Sequence, residues 1–547
     1  MSNAAMEQGS QTTGEWSLID WYLEEQGRLS AVERFAQVQG LLAAPTYREL
    51  LPSKGPGPGE QYAFEVDLDR CSGCKACVTA CHSLNGLDDQ ETWRDVGLLT
   101  GGTEEKPFLQ HVTTACHHCL EPACMEVCPT LAYEKDAVTG IVKHLDDQCF
   151  GCQYCILACP YNVPKFNARL GIVRKCDMCS QRLQAGEAPA CVQACPHEAI
   201  RIEIVSTVQV ETDCETSQFL PGTPDPQYTL PTTNYKTSRP LPRNLIPADY
   251  FRVQTEHSHG SLVTMLVLTQ LSVGGFCLGS QWSGSMQTVQ YALSLGFCYL
   301  ALGASLMHLG RPWLAYRAML GLRRSWLSRE ILAFGIFAGS ATLLTGEKIA
   351  PEMIPELGIS SRLLSYVVGI SGLLGVYCSA MIYHRTKRPF WNLSQAGSRF
   401  GLTALLLGLG VSWVSDCGAE LLLGVQPLNT LATLKWGILM AAVLKGALEL
   451  GALVALGDRP QTPLKRSAML LVGPLRGELT VRLMLLVTGG LIVPGVGLMS
   501  RSAEFTVSQE LMYGVISLLA LIGGELLERS LFFKASVAFR MPGGPAA

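Results

Sequence analysis

The 547-residue chain lacks the marks of several large protein classes. It has no G-x-x-x-x-G-K-[ST] loop and no dinucleotide fingerprint placed after a strand, so nothing in it is built to cradle a nucleotide phosphate. It has no excess of one charge sign. Its 42 Lys and Arg against 46 Asp and Glu give a net charge of −4, which supplies no strongly cationic face for a nucleic acid. The N-terminus shows no basic start leading into a short apolar run, and no paired arginines. The front half is therefore expected to be made and kept in the cytoplasm, unless it is exported with a partner that carries a signal. Histidine is scarce, with ten in all. His257, His259, His308 and His384 fall near the ends of apolar stretches on one side, and no pair lies within their interiors, so no haem is expected.

What the chain does contain is divided sharply. Residues 1–255 hold nearly all the clustered cysteine, and residues 258–535 are dominated by Leu, Gly, Ala and Val. That shift marks a boundary between a soluble and a membrane part. Twenty-one cysteines in a reducing compartment point to metal rather than disulfides.

Sixteen of them form four groups. The first, "CSGCKACVTAC", holds Cys71, Cys74, Cys77 and Cys81. The second, "CHHCLEPACMEVCP", holds Cys116, Cys119, Cys124 and Cys128. The third, "CFGCQYCILACP", holds Cys149, Cys152, Cys155 and Cys159. The fourth, "CDMCSQRLQAGEAPACVQACP", holds Cys176, Cys179, Cys191 and Cys195. Three close thiolates can wrap one face of a cubane cluster, while the fourth, followed by proline, turns away to a second cluster. Zinc also uses C-x2-C pairs, but it requires neither the third nearby cysteine nor the C-x3-C ending. Four repeats of that ending favour iron–sulfur clusters held by groups working in pairs. Cys214, Cys277, Cys298, Cys378 and Cys417 are left over and read as small buried apolar side chains. Period-two alternation in "YAFEVDL" (62–68) and "AIRIEIV" (199–205) predicts short strands flanking the first and last groups, as in a ferredoxin fold.

Residues 62–205 resemble the four-cluster iron–sulfur subunit of the dimethyl sulfoxide reductase family of molybdenum enzymes, most specifically in "CHHCLEPACMEVCP" and "CFGCQYCILACPYNVPKFN". The resemblance implies that group one pairs with group four, and group two with group three. One cluster then takes Cys71, Cys74, Cys77 and Cys195, and its neighbour takes Cys176, Cys179, Cys191 and Cys81. The inner pair takes Cys116, Cys119, Cys124 with Cys159, and Cys149, Cys152, Cys155 with Cys128. Nitrate-reductase relatives carry Trp at the position of Cys152 and hold a three-iron cluster there; with Cys152 present, four [4Fe–4S] clusters are expected. His82, where the pattern has proline after Cys81, is a departure.

Eight apolar stretches begin near 260, 287, 329, 362, 399, 430, 481 and 510. Each runs about twenty residues, enough to cross the hydrocarbon as a helix. Eight crossings put both ends on one side. On the side of the cysteine domain stand Arg311, Arg317, Arg323, Arg324, Arg329, Arg385, Lys387, Arg388, Arg399, Arg459, Lys465, Arg466, Arg476, Arg482, Arg529, Lys534 and Arg540. The opposite side has Lys348, Arg362 and Arg501. Seventeen against three predicts that the iron–sulfur domain faces the cytoplasm from the inner membrane. Lys445 and Glu449, four apart inside the sixth stretch, form either a structural ion pair or a proton route.

"SLMHLGRPWLAYRAMLGLRRSWLSREIL" (305–332) and "GELLERSLFF" (524–533) are similar to the membrane anchor subunit of the same family. The resemblance implies a fusion of iron–sulfur and anchor subunits, a menaquinol or other quinol as reductant, and a quinol site involving His308, with Glu330 as a weaker candidate. The residues themselves point the same way: the site is expected around His308, Arg311 and Glu330, where His308, at a helix end on the cluster side, can accept a quinol proton near neutral pH.

The expected fold is a ferredoxin-like α+β domain carrying four [4Fe–4S] clusters, followed by an all-α eight-helix transmembrane bundle. The expected organisation is an N-terminal helical extension (1–60), a four-cluster domain (61–205), a Pro/Thr-rich linker or strap (206–256) and a membrane anchor (257–547). Within the extension, residues 15–42 show helical spacing. The expected function is electron transfer from the quinol pool in the lipid to a separate molybdopterin guanine dinucleotide catalytic subunit, reducing nitrate, another oxyanion or carbon dioxide. The alternatives are reverse flow from a dehydrogenase, such as one for formate, and a membrane-bound iron–sulfur scaffold or sensor without turnover.

Overall fold

A computed structural model describes residues 46–216, 219–350, 360–424, 431–499, 506–538 and 540–542, together with residues 24, 28 and 30. The helix expected over 15–42 lies outside them, apart from those three positions.

Among the described residues, the front half is an α+β domain of ten short strands. Strand β1 (Glu60–Asp67) is followed by the hairpin β2 (Asp95–Gly102) and β3 (Pro107–Thr114). Two small ribbons follow, β4 (Tyr133–Lys135) with β5 (Val142–His144), and β6 (Lys165–Asn167) with β7 (Ile172–Arg174). Strand β8 (Ile200–Ser206) returns antiparallel to β1, with Phe64 opposite Ile202. The two stretches expected to be strands are thus paired with each other, and their alternate side chains Phe64, Val66, Ile200 and Ile202 fill the domain core. The Pro/Thr-rich stretch lies along this domain. Its β9 (Asn234–Lys236) runs parallel to β1, and its β10 (Ile246–Pro247) pairs with β2. Between the strands, each cysteine group is a loop running into a short helix, such as Ala76–Leu84, Ala123–Glu126 and Tyr154–Ala158.

The back half contains eight helices long and apolar enough to cross a membrane among the described residues. They are α1 (Gly260–Gly279), α2 (Gly284–Met307), α3 (Trp326–Ile349), α4 (Ser361–His384), α5 (Leu393–Leu423), α6 (Leu431–Gly451, prolonged by a 3-10 turn), α7 (Arg476–Met499, with a π-helical segment at Thr488–Ile492) and α8 (Val507–Lys534). Polar caps fix several starts: the Asn392 side chain accepts from the amide of Gln395, and Thr506 forms a capping box with Gln509. In lipid, helices gain by close packing rather than by leaving water, so small residues mark the contacts. Gly274 of α1 faces α5 so closely that a Cβ would sit 1.8 Å from the Ala404 carbonyl oxygen.

The two halves share one core. Cys128, Cys149, Tyr154 and Cys155 pack in the same buried cluster as Phe334, Tyr383, Trp391 and Phe532. Hydrogen bonds cross the junction. The Ser325 hydroxyl donates to the Val127 carbonyl (2.7 Å), and the Tyr154 hydroxyl donates to the carbonyl of Ile382 (3.1 Å). The loop after α2 presses backbone to backbone on the third cysteine group: a Cβ on Gly310 would lie 2.2 Å from the Gly171 carbonyl oxygen, beside Gly151.

Candidate functional site

The loop geometry of the cysteine groups repeats. Two residues after the first cysteine of each group, Gly73, His118, Gly151 and Met178 all have positive φ. These kinks turn amides toward sulfur: the amide of Met178 donates to Cys176 Sγ (3.4 Å). Three residues after Cys128, Cys159 and Cys195, each followed by proline, Leu131, Asn162 and Glu198 are again left-handed. One residue further on, Ala132 and Ala199 donate their amides to Cys128 and Cys195 (3.3 and 3.2 Å). The first group departs where its sequence does. With His82 in place of proline, the helix Ala76–Leu84 runs straight through Cys81, and the side chain of Asn85 supplies the donor (3.6 Å).

The structure brings the sixteen cysteines into four sets. Cys71, Cys74, Cys77 and Cys195 form an outer set around one cavity. Cys81, Cys176, Cys179 and Cys191 form a second set. Cys116, Cys119, Cys124 and Cys159 line a third. Cys128, Cys149, Cys152 and Cys155 form the set against the membrane half. The sets follow one another: Cys191 neighbours Cys77, Cys176 neighbours Cys116, and Tyr133 lies between Cys124 and Cys155. Cys74 of the outer set is exposed.

The donor chemistry fits iron–sulfur clusters. Burial pushes the thiols up, that of Cys159 and that of Cys191 each to about 11, so a bound cation is needed to hold them as thiolates. Four sulfurs around one zinc at its usual bond length would lie about 4 Å apart. Among the described residues, no three of His, Cys, Asp or Glu converge tightly enough for a single ion.

Against the membrane-side set opens a cavity of about 590 Å³, lined by Cys152, His259, His308, Glu330, Tyr383 and Arg388 and by apolar walls such as Phe334 and Trp391. His308 caps the C-terminal end of α2. Burial first, and then His259, push its imidazole down to about 4, so it stands neutral. Its ring packs edge-on against His259, with centroids 5.0 Å apart, and His259 in turn meets His257 at 4.7 Å. Glu330, buried on α3, accepts a hydrogen bond from the Ser379 hydroxyl of α4. Arg311 does a different job. Its amide donates to the Phe150 carbonyl (3.0 Å), and its guanidinium donates to the carbonyls of Asp146 (3.0 Å) and Leu170 (3.1 Å). It fastens the loop to the cysteine domain. The sequence places His259 on the same side as His308, in the "HSH" just before the first apolar stretch, but does not assign it to the site.

Lys445 and Glu449 do not pair with each other. Lys445 Nζ meets Glu525 of α8 (2.6 Å), and Glu449 accepts from Arg482 of α7 (2.7 Å), which also reaches Glu525 (2.7 Å). Arg399, Glu528 and Arg529 complete a buried network across four helices. Charges inside hydrocarbon are tolerated when paired in this way.

A cysteine-rich electron-transfer domain standing on a multi-pass membrane bundle is the class of protein these features define. Comparison places it further. Residues 108–204 match a 4Fe-4S dicluster domain, and residues 254–534, more than half of the chain, match the DMSO reductase anchor subunit (DmsC). The chain belongs to the DMSO reductase anchor subunit family, with an iron–sulfur domain fused in front of the anchor. It is 39% identical over 150 residues to a subunit of the anaerobic dimethyl sulfoxide reductase of Haemophilus influenzae, covering 26% of this chain and 73% of that subunit. It is also 39% identical over 146 residues to the thiosulfate reductase electron transfer subunit PhsB of Salmonella typhi, covering 26% and 74%. The hydrogenase-2 operon protein HybA of Escherichia coli O157:H7 is 33% identical over 243 residues, covering 40% and 72%. The chain is a membrane-anchored electron-transfer subunit of a molybdoenzyme-type complex, and its catalytic partner is a separate subunit.

Proposed function

We propose that the chain takes electrons from a quinol bound beside His308 and passes them through four [4Fe–4S] clusters to a molybdopterin guanine dinucleotide subunit. One observation carries this reading: Cys152 lines the same cavity as His308 and Glu330. The apolar walls accept the quinol ring and its tail. The neutral imidazole of His308 accepts one hydroxyl proton, and Glu330, held by Ser379, accepts the other from the hydroxyl at the far end of the ring, so that two protons leave with the two electrons. Arg311 positions the loop and does not touch the quinol. Bound clusters supply one-electron transfer, and the sixteen cysteines hold them in line from the cavity to exposed Cys74, where the catalytic partner docks. Anaerobically purified protein is expected to contain about sixteen irons per chain, from four cubanes of four, with matching EPR signals on reduction. Stoichiometric zinc with little iron defeats the reading. The relative named for a hydrogenase operon favours a second reading, in which a dehydrogenase feeds electrons the opposite way.

The iron–sulfur domain faces the cytoplasm in this reading, which points to an internal substrate such as nitrate or another oxyanion. Some of the charge bias has other work: Arg399, Arg482 and Arg529 are buried in the bundle, and Arg311, Arg317 and Arg385 hold the cysteine domain. Setting those six aside leaves eleven against three on the two faces, still a strong bias. Reporter fusions after Ala547 and within 351–359 should report opposite sides, with the C-terminus cytoplasmic. A C-terminus on the outer face removes the support for an internal substrate.

A further inference from the structure

Two cations are buried among the cysteine sets with no carboxylate to balance them. Arg94 is 2% exposed. It lies over the ring of Phe64, 4.5 Å from the centroid, and donates from Nη1 to the Thr113 hydroxyl (3.1 Å). Its Nε and Nη2 meet no nitrogen or oxygen acceptor, and the Cys191 sulfur accepts from the guanidinium. The groups acting on its charge are the thiols of Cys191, Cys77, Cys176 and Cys81, so it stands where the outer and second sets meet. Lys175 is 3% exposed. Its ammonium has three donors and three acceptors: Cys116 Sγ (3.6 Å), the Cys176 carbonyl (2.8 Å) and the Val142 carbonyl. Cys116, Cys124 and Cys176 act on it most strongly, which places it where the second and third sets meet. Asp177 acts on Lys175 more weakly, and its carboxylate is engaged by the Cys179 amide and the Ser180 hydroxyl. Among the described residues, no carboxylate lies within ion-pair distance of either cation.

An unpaired buried charge is strongly unfavourable, and a guanidinium cannot escape by losing its proton. The missing counter-charge has to come from what the cysteines hold. A cubane with four thiolates carries net negative charge, and its potential depends on nearby charge and on hydrogen bonds to sulfur. A fixed cation beside it favours the reduced, more negative state.

We propose that Arg94 and Lys175 are the built-in counter-ions of the iron–sulfur clusters, raising the reduction potentials of the clusters they separate. This rests on the four-cluster reading. It concerns two residues that bind no iron and touch no quinol, and it gives the central clusters a pull on electrons that the cysteine spacing alone does not set.

The test is an EPR-monitored redox titration of the full-length protein in membranes, with iron analysis alongside. In Arg94→Gln, one or two of the titration steps should move to lower potential. At a fixed poise the reduced-to-oxidised ratio should fall about tenfold, equivalent to 59 mV for one electron. Lys175→Gln should lower steps belonging to the second and third sets. Arg94→Lys, which keeps the charge, should move them less than half as far. If Arg94→Gln loses iron and Arg94→Lys keeps it, the counter-ion role also stands, because charge is then required to hold the clusters. Full iron with unmoved potentials in both Gln variants overturns the proposal, as does an equal shift in Arg94→Lys and Arg94→Gln. Absence of clusters from the unmodified protein overturns instead the reading on which it rests.

Discussion

Replacing Gly310 by valine is expected to abolish reduction of the clusters by quinol while leaving their reduction by dithionite intact. Gly310 sits where three backbone segments meet. A Cβ there would lie 2.2 Å from the Gly171 carbonyl oxygen, 2.6 Å from its carbonyl carbon and 2.8 Å from its Cα. None of these atoms can rotate away as a side chain could. Gly171 and Gly151 are themselves left-handed, with φ of 67° and 75°, so neither segment yields easily. The loop must lift, and lifting it strips the Arg311 amide from the Phe150 carbonyl and the guanidinium from Asp146 and Leu170. His308 then withdraws from Cys152. Displacements of about 1 Å at a reacting site can cost roughly a hundredfold in rate, and overpacking of this kind costs about 1–3 kcal/mol in stability. The protein should therefore remain folded and iron-loaded while quinol-driven reduction falls at least that far. Gly303→Ala on α2, where a Cβ meets nothing within 4 Å, serves as the control and should behave as the unmodified protein does. Stopped-flow absorbance of the clusters measures both rates. Normal quinol-driven reduction in the valine variant would show that electrons do not enter through this junction.

Local chemistry made much of the architecture readable in advance. The strands at 62–68 and 199–205 announce themselves by alternation, and the eight crossings by length and apolarity. Helix starts are less accurate where polar residues begin the helix. α5 starts at Leu393 rather than near 399 because Asn392 caps it, and α7 starts at Arg476 rather than near 481, its first turn carrying Arg476 and Glu478. Lys445 and Glu449 show the limit of helical spacing as a guide. Four residues apart on one helix, they suit each other, yet each finds a better partner on α7 or α8, and those partners are distant in the chain. The cavity is of the same kind. His259, His308, Glu330, Arg388 and Cys152 come from separate elements, and only the packing of the two halves makes them neighbours. Arg94 and Lys175 look like ordinary surface cations in the sequence, since burial beside sulfur leaves no local pattern.

The most direct measurement of the central claim is the rate at which a reduced quinol analogue reduces the clusters in His308→Ala. His308 lines the same cavity as Glu330 and Cys152, with its imidazole held neutral and able to accept a hydroxyl proton. Without a positioned base, proton transfer typically loses about 10²–10⁴-fold, and electrons should leave the quinol correspondingly more slowly. Dithionite, which needs no such site, should reduce the variant's clusters as fast as those of the unmodified protein, and the iron content should be unchanged. That pair of results is the prediction. Unchanged quinol-driven reduction in His308→Ala, with dithionite reduction also unchanged, would contradict it and remove the quinol site from this cavity.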